Sequence, residues 1–400
     1  MNGSGRRPPG GTVMQARYLL RAVTTAVLLT SVAVAVTAPP AAAQPAVSAP
    51  VRPDDLDRRQ STIQRTEPAE AFFAINGIVR AILQGVANGE RAADRAQGSV
   101  FGTGSLEVSA VLRPAEWARV FLDVQGLVGP GPQQALGTLS RVNFDADQLE
   151  GRNSGFLIKE LWLRLALLDG RLRFNVGKLD VGHYFDRNFL AEDDTTQFID
   201  AALLNNPMLK PPPNGPAAAG RLSVGDWRYA FGVQAPDDVD GDLSGLPYVI
   251  GELGRRNIFS LRGHYRWWAR VSAVPEDRDR VTWGSGISID QLVTPEIGVF
   301  VRAGLSRSEG DGLTSHAWSG GLQVIPRWLE RGMDRFGVGY SVQREPAGRE
   351  KLVETYYTLG FAEWLSMTAN VQWVIVGPNQ VRGGTNRNVV VPGLRAVLVF

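Results

Sequence analysis

The sequence predicts an all-β protein: a transmembrane antiparallel β-barrel of about sixteen strands with an inward-folded third extracellular loop. Three observations carry this expectation. From Phe72 onward, apolar and polar residues alternate in segments of strand length. Short connections between those segments take turns with long polar ones. The final segment, Val389–Phe400, ends on an aromatic residue.

Composition sets the bounds. Lys+Arg 42 against Asp+Glu 40 leaves the chain close to neutral, which argues against bulk nucleic-acid binding. The absence of cysteine excludes a disulfide framework and thiolate metal sites. No apolar run after the N-terminal region is long enough for a spanning helix. A membrane-crossing chain without such helices has to close a barrel, because lipid offers no partner to an unpaired backbone group.

In chain order, residues 1–43 read as a signal peptide. Arg17 and Arg21 precede the apolar run Ala22–Ala38, and Pro39-Pro40 leads to the small-residue site Ala41–Ala43, with cleavage expected before Gln44. Met14 competes with Met1 as the true start. Residues 44–71 are Pro-rich and then charged (Asp54, Asp55, Asp57, Arg58, Arg59), the composition of a flexible periplasmic N-terminal segment.

Residues 72–400 form the expected outer-membrane barrel, with strands at 72–86, 99–112, 118–128, 155–168, 171–184, 219–225, 227–235, 246–254, 257–274, 280–289, 296–308, 316–325, 335–344, 351–362, 365–377 and 389–400. In the clearest one, Leu365, Met367, Ala369, Val371, Trp373 and Ile375 alternate with Ser366, Thr368, Asn370 and Gln372. Successive strand side chains point to opposite faces, so this is an apolar row backing a polar row. A soluble sandwich shows the same alternation, and the connections separate the two. Short turns at Arg113–Trp117, Leu168–Gly170, Gly225–Trp227 and Ala362–Trp364 alternate with longer loops at 88–98, 129–154, 186–218, 235–245 and 378–388. That is the pattern of short periplasmic turns and long outer loops. Trp117, Trp227, Trp328 and Trp364 fall at the short-turn end, where an interfacial aromatic girdle would sit.

The register that keeps charges off the lipid puts a set of arginines inside, since a charge facing the bilayer midplane costs about 2–4 kcal/mol. Between Ile258 and Val271 the inward set is Ser260, Arg262, His264, Arg266, Trp268 and Arg270. Glu160, Trp162 and Arg164 follow on another strand, and Arg119, Asp123, Arg171, Arg173, Arg221, Arg228, Arg302 and Arg395 also project inward. Channel-lining or substrate-binding candidates are therefore Glu160, Arg164, Arg173, Arg228, Arg262, His264, Arg266, Trp268 and Arg270. Two readings compete. The arginines either line a wet wall and pair with nearby acids, or their fixed donors hold sugar hydroxyls while Trp268 stacks on a sugar ring.

The third long connection is the most elaborate. It carries Asp186, Glu192, Asp193, Asp194 and Gln197, the constriction-loop candidates, with the apolar anchors Phe185, Phe189, Leu190, Phe198, Ile199, Leu203 and Leu204. So many anchors argue that it folds back onto the barrel. Lys178 and Asp180 break the preceding alternation. Either a bulge near Gly177 re-aims them, or the strand already stands clear of the membrane.

The run Gly177-Lys178-Leu179-Asp180, then Phe185-Asp186 with Asn188, then Thr195-Thr196-Gln197-Phe198 through to Asn205-Asn206-Pro207, resembles the conserved core of the carbohydrate-selective outer-membrane porins, the OprB-like family. The resemblance implies that Gly177, Lys178, Asp180, Asp186, Asn188, Thr195, Thr196, Gln197 and Asn205–Pro207 preserve the family's loop architecture. Glu192-Asp193-Asp194 is more acidic than the usual pattern, which leaves the sugar preference open. The terminal Phe400 resembles the recognition signal of outer-membrane barrel assembly.

The expected function is passive, selective diffusion of mono- or small oligosaccharides, with no cofactor and no enzymatic activity. Expected partners are carbohydrate solutes, outer-membrane lipid and the barrel assembly machinery, with no nucleic acid; monomer and trimer stay open. The main alternative is a general or anion-selective porin. A hydrolase is weaker: His183, His264 and His316 lie far apart, and His183 with Asp186 has no paired nucleophile. A structural barrel or adhesin would elaborate its outward loops instead.

Overall fold

The computed structural model describes residues 72–87, 99–136, 138–148, 154–236, 246–274, 277–308, 314–326, 333–376 and 387–400. The signal peptide, the 44–71 segment, Trp328 and most of the 88–98 and 378–388 loops lie outside the described residues.

Each predicted strand is present. The order is β1 (Phe73–Gly85), β2 (Val100–Ala115), β3 (Ala118–Val128), β4 (Ser154–Leu167), β5 (Leu172–Leu179), β6 (Gly215–Val224), β7 (Trp227–Gln234) and β8 (Tyr248–Arg256). It continues with β9 (Gly263–Val274), β10 (Asp277–Leu292), β11 (Ile297–Ser308), β12 (Thr314–Val324), β13 (Arg335–Glu345), β14 (Gly348–Ala362), β15 (Leu365–Val376) and β16 (Arg387–Val399). Every strand pairs antiparallel with its sequence neighbours, and β1 pairs with β16 to close the barrel. Closure removes the free edges that would otherwise leave backbone groups unpaired.

The last residue completes the seam. Phe400 and Gly77 exchange backbone hydrogen bonds at 2.8 and 3.0 Å. A Cβ at Gly77 would sit 2.2 Å from the Phe400 ring, so the ring lies where any larger residue would have its side chain. The outer face is apolar and exposed, with Trp267, Trp283, Trp318 and Trp373 all pointing outward. Trp117, Trp227 and Trp364 are exposed at the short-turn end, as an interfacial girdle requires.

The structure departs from the expected strand pattern at several points. β5 stops at Leu179 and gives way to a single 3-10 turn, Val181–His183. β9 starts at Gly263, so Ile258–Arg262 precede the strand. The outer connection between β13 and β14 is only Pro346-Ala347, an exception to the long-loop pattern. Pairing between β4 and β5 runs unbroken through Gly177, and the register shift falls instead between β3 and β4, beside Lys159. Gly177 has φ +144°, and a Cβ there would lie 2.2 Å from the Leu161 carbonyl oxygen. Only glycine fits that approach.

Candidate functional site: the lumen and its docked loops

The 180–214 connection lies inside the barrel and contributes to its two largest apolar clusters. Phe185, Met208 and Leu209 pack with Tyr248, Ile250 and Trp268 from β8 and β9. Leu190, Phe198, Leu203 and Leu204 pack with Phe300, Leu352, Tyr356 and Val374 from β11, β14 and β15. The second outer loop also turns inward, which the sequence reading did not anticipate. Its Val142 joins the second cluster, the Phe144 amide donates to the Ile199 carbonyl, and the Ala201 amide donates to that of Arg141.

A loop placed inside a barrel carries polar backbone that needs partners. The inner wall supplies them. Arg302 on β11 donates to the carbonyls of Ala191 (2.8 Å) and Leu203 (2.7 Å) and lies 2.8 Å from the Asp186 carboxylate. Arg395 on β16 donates to the carbonyls of Asp194 (2.6 Å) and Gln197 (2.8 Å). Glu354 on β14 accepts from the amides of Ile199 (2.8 Å) and Asp200 (3.0 Å). Glu350, four residues earlier on the same strand, accepts from Leu139 (2.7 Å) and Ser140 (2.6 Å) of the second loop. The sequence placed Arg302 and Arg395 inward but gave no sign that their partners are loop carbonyls. Glu350 and Glu354 as amide acceptors were missed altogether.

The loop motif now has a physical meaning. Asp186 accepts from the Trp268 indole at 2.8 Å and from the Asn206 amide at 3.1 Å. The Asn188 side chain donates to the Ile289 carbonyl and accepts from the Leu190 amide, each at 3.1 Å. Gln197 accepts from the amides of Glu192 and Asp193 and donates to the Phe189 carbonyl. Asn206 donates to the Ala303 carbonyl at 3.1 Å. These residues give the loop its shape and seat it on the wall.

The β9 residues His264, Arg266, Trp268 and Arg270 belong to the same anchorage, and the burial of Trp268 corrects the stacking expectation for it, while Arg262 and Arg270 also line the open space. Trp268 is 0% exposed beneath the loop, so neither ring face is open for stacking. Arg266 donates to the Arg187 carbonyl (2.6 Å) and to Asp290 (3.1 Å). Arg270 donates to the Met208 carbonyl (3.1 Å) and to Ser306 (2.7 Å). His264 is buried with its Nδ1 2.6 Å from Asp290. Arg262 lies over the Phe189 ring at 4.2 Å. Arg228 donates to the carbonyls of Gly225 and Trp227, folded onto its own turn.

What remains open is a lumen of about 1460 Å³. One wall is the loop's acidic stretch. There Glu192 lies 3.1 Å from Arg187, Asp193 accepts from the Thr195 amide (2.9 Å) and the Thr196 hydroxyl (2.7 Å), and Asp194 pairs with Arg80 at 2.5 Å. The facing wall on β1–β4 is a mixed-charge cluster. Arg80 lies 3.1 Å from both Glu107 and Asp145, Lys159 is 3.2 Å from Glu107, and Asp123 and Glu160 line the space beside them. Alternation placed Asp123 inside, whereas Arg80 and Lys159 went unremarked; Lys159 turns inward only through the β4 irregularity. Beyond Glu160, Arg164 stacks on Trp162 at 4.7 Å and donates to Asn175 at 3.0 Å, close to Arg173. His183 lies 3.3 Å from Asp180, while Asp186, weighed as its catalytic partner, serves the Trp268 and Arg302 anchorage.

Residues 237–400 match the family model described as carbohydrate-selective porin, OprB family. That stretch lies C-terminal to the 177–207 run on which the resemblance was drawn, so the two are separate observations. No curated protein matches the chain. Among solved structures, the high-pH structure of Pseudomonas putida OprB is similar at TM-score 0.65 and 15% identity, over 82% of this chain and 94% of that one. The anion-selective porin from Comamonas acidovorans is similar at TM-score 0.52 and 12% identity, over 82% and 99%. Salmonella typhi OmpF in complex with daunomycin gives TM-score 0.54 and 10% identity, over 82% and 97%. At these identities the likeness shows the fold. The closed sixteen-strand barrel and the family match over residues 237–400 bear out the resemblance of this chain to the carbohydrate-selective porins of the OprB family.

Proposed function

We propose that the protein is an outer-membrane porin through which mono- or small oligosaccharides diffuse passively, sorted where the docked 180–214 loop narrows the lumen. The observation that carries this reading is the lumen wall. It interleaves Arg80, Lys159 and Arg187 with Glu107, Asp123, Glu192 and Asp194. Such a wall presents donors and acceptors at close spacing with little net charge, which suits a neutral, hydroxyl-rich solute better than a simple ion. The family match over residues 237–400 supports the same substrate class. Transport down a gradient asks nothing of a cofactor or a catalytic group.

A second reading, an anion-selective channel, is favoured by the arginines on the inner face of β4–β7. Single-channel recording in planar bilayers separates the two. Carbohydrate passage predicts transient current block by glucose or maltose and a weak ion preference. A current indifferent to sugars, with a reversal potential set by chloride, would overturn the carbohydrate reading.

A further inference from the structure

Beneath the loop, on the short-turn side, lies a second and smaller cavity of about 60 Å³. Arg164, Arg173, Arg187 and Arg221 line it, with Tyr184 and Glu160. Glu160, His183 and Arg187 line the main lumen as well, so the two spaces adjoin. In strand register Arg173 stands directly opposite Arg221, and Arg119 directly opposite Arg164. Like charges facing each other across a strand pair are destabilising. Two such pairs side by side therefore concentrate unfavourable positive potential at one place on the wall. The inward neighbours Ala219 and Ala230 are small, which keeps space open in front of the guanidinium groups.

Among the described lining residues Glu160 is the one carboxylate, and it accepts from the Asp180 amide at 3.0 Å. Arg187 leans on Glu192 and Arg164 on Asn175, so these two of the four arginines are held in place. Tyr184 accepts from the Asn175 side chain at 2.8 Å, leaving its hydroxyl proton as a further donor. Fixed guanidinium forks are complementary to planar or tetrahedral oxyanions, which they bind through paired charge-assisted hydrogen bonds.

We propose that this cavity is an oxyanion-binding station that takes the carboxylate or phosphate head of a hydroxylated solute leaving the constriction. The proposal rests on the carbohydrate reading and extends it: acidic sugars, not only neutral ones, are substrates. The volume is small beside the lumen, so the cavity receives a head group while the polyhydroxy remainder stays in the main channel.

The test uses the full barrel in planar bilayers, with glucose, gluconate and glucose 6-phosphate as blockers and chloride selectivity as a control. In Arg173→Gln/Arg221→Gln, block by the two acidic sugars should weaken about tenfold or more, as loss of charge-assisted hydrogen bonds predicts, while glucose block stays unchanged. Whichever acidic sugar loses more distinguishes a carboxylate from a phosphate site. Arg173→Lys/Arg221→Lys keeps the charge but not the fork, so chloride preference should persist while acidic-sugar block falls. If the double variant does not assemble, Arg173→Gln alone carries the comparison. Unchanged acidic-sugar block in the glutamine variant, with only chloride preference reduced, would overturn the station and leave a simple charged wall. A wild-type channel blocked by glucose but indifferent to both acidic sugars would overturn the station and keep the carbohydrate reading. One blocked by the acidic sugars in an arginine-dependent way but indifferent to glucose would support the station and sink the neutral-sugar reading.

Discussion

Arg302 is the decisive place to perturb the docked loop. It is almost fully buried and joins three separate points of that loop: Asp186, Ala191 and Leu203. Arg302→Met keeps length and bulk while removing every donor. The change leaves the Asp186 charge short of its cation, and removing one partner of a buried pair typically costs about 3–5 kcal/mol. Asp186 keeps the Trp268 indole and the Asn206 amide, which argues for the lower end. The carbonyls of Ala191 and Leu203 add roughly 1–3 kcal/mol for each that water cannot reach. These contributions overlap, and about 4 kcal/mol is a working figure, close to a thousandfold shift toward the undocked loop. In single-channel records the variant should show larger mean conductance, added current noise and weaker sugar block. Adding Asp186→Asn should recover part of the loss, because removing both partners costs less than removing one. A variant with wild-type conductance and wild-type sugar block would refute the argument that this anchorage sets the width of the channel.

Three further outcomes follow from other parts of the structure. Gly77→Leu should impair barrel assembly about as severely as deletion of Phe400, because both destroy the seating of that ring; heat-modifiable gel mobility reports it, and normal assembly of the leucine variant would refute the seat. Asp200 caps the helical turn Ala201–Leu204, and burial, followed by the nearby Glu354 and Glu350, pushes its carboxyl well above the usual range. A raised carboxyl favours the protonated folded state, so its contribution to loop docking is complete below the ordinary carboxylate value and lost as pH rises through the raised one. Current noise should accordingly grow as pH climbs above the ordinary carboxylate range, and Asp200→Asn, which still caps the turn, should flatten the trend. His183→Ala should leave conductance and sugar block nearly unchanged, whereas a hydrolytic activity lost in that variant would revive the enzyme alternative.

The barrel was legible in the sequence because alternation is a local signal. Leu365–Ile375 and the strands like it declare their two faces within a few residues, and lipid punishes a one-residue slip by exposing charge. The same logic placed Arg302, Arg395 and Glu160 inside without reference to anything distant. Strand ends were less legible, as at Leu179 and Gly263, because polar residues are acceptable on either side of the point where pairing stops.

The partner of each inward residue was not legible. Trp268 sits on the polar face of a strand, where an aromatic reads naturally as a platform for a sugar ring. Only the fold shows Asp186, eighty-two positions earlier, accepting its indole proton. The apolar anchors of the 180–214 loop announced that it folds back, but the second loop had no such run and its inward turn went unread. From the sequence alone come the barrel, its strand number, the inward face of Arg302, Arg395 and Glu160 and the existence of an inward loop, since each follows from periodicity or from the cost of a charge in lipid. The tertiary structure decided which of those charges hold the loop and which face the open lumen. A guanidinium inside a barrel can satisfy a loop carbonyl or line open water with the same local pattern, and the choice depends on where a segment far away in the chain comes to rest.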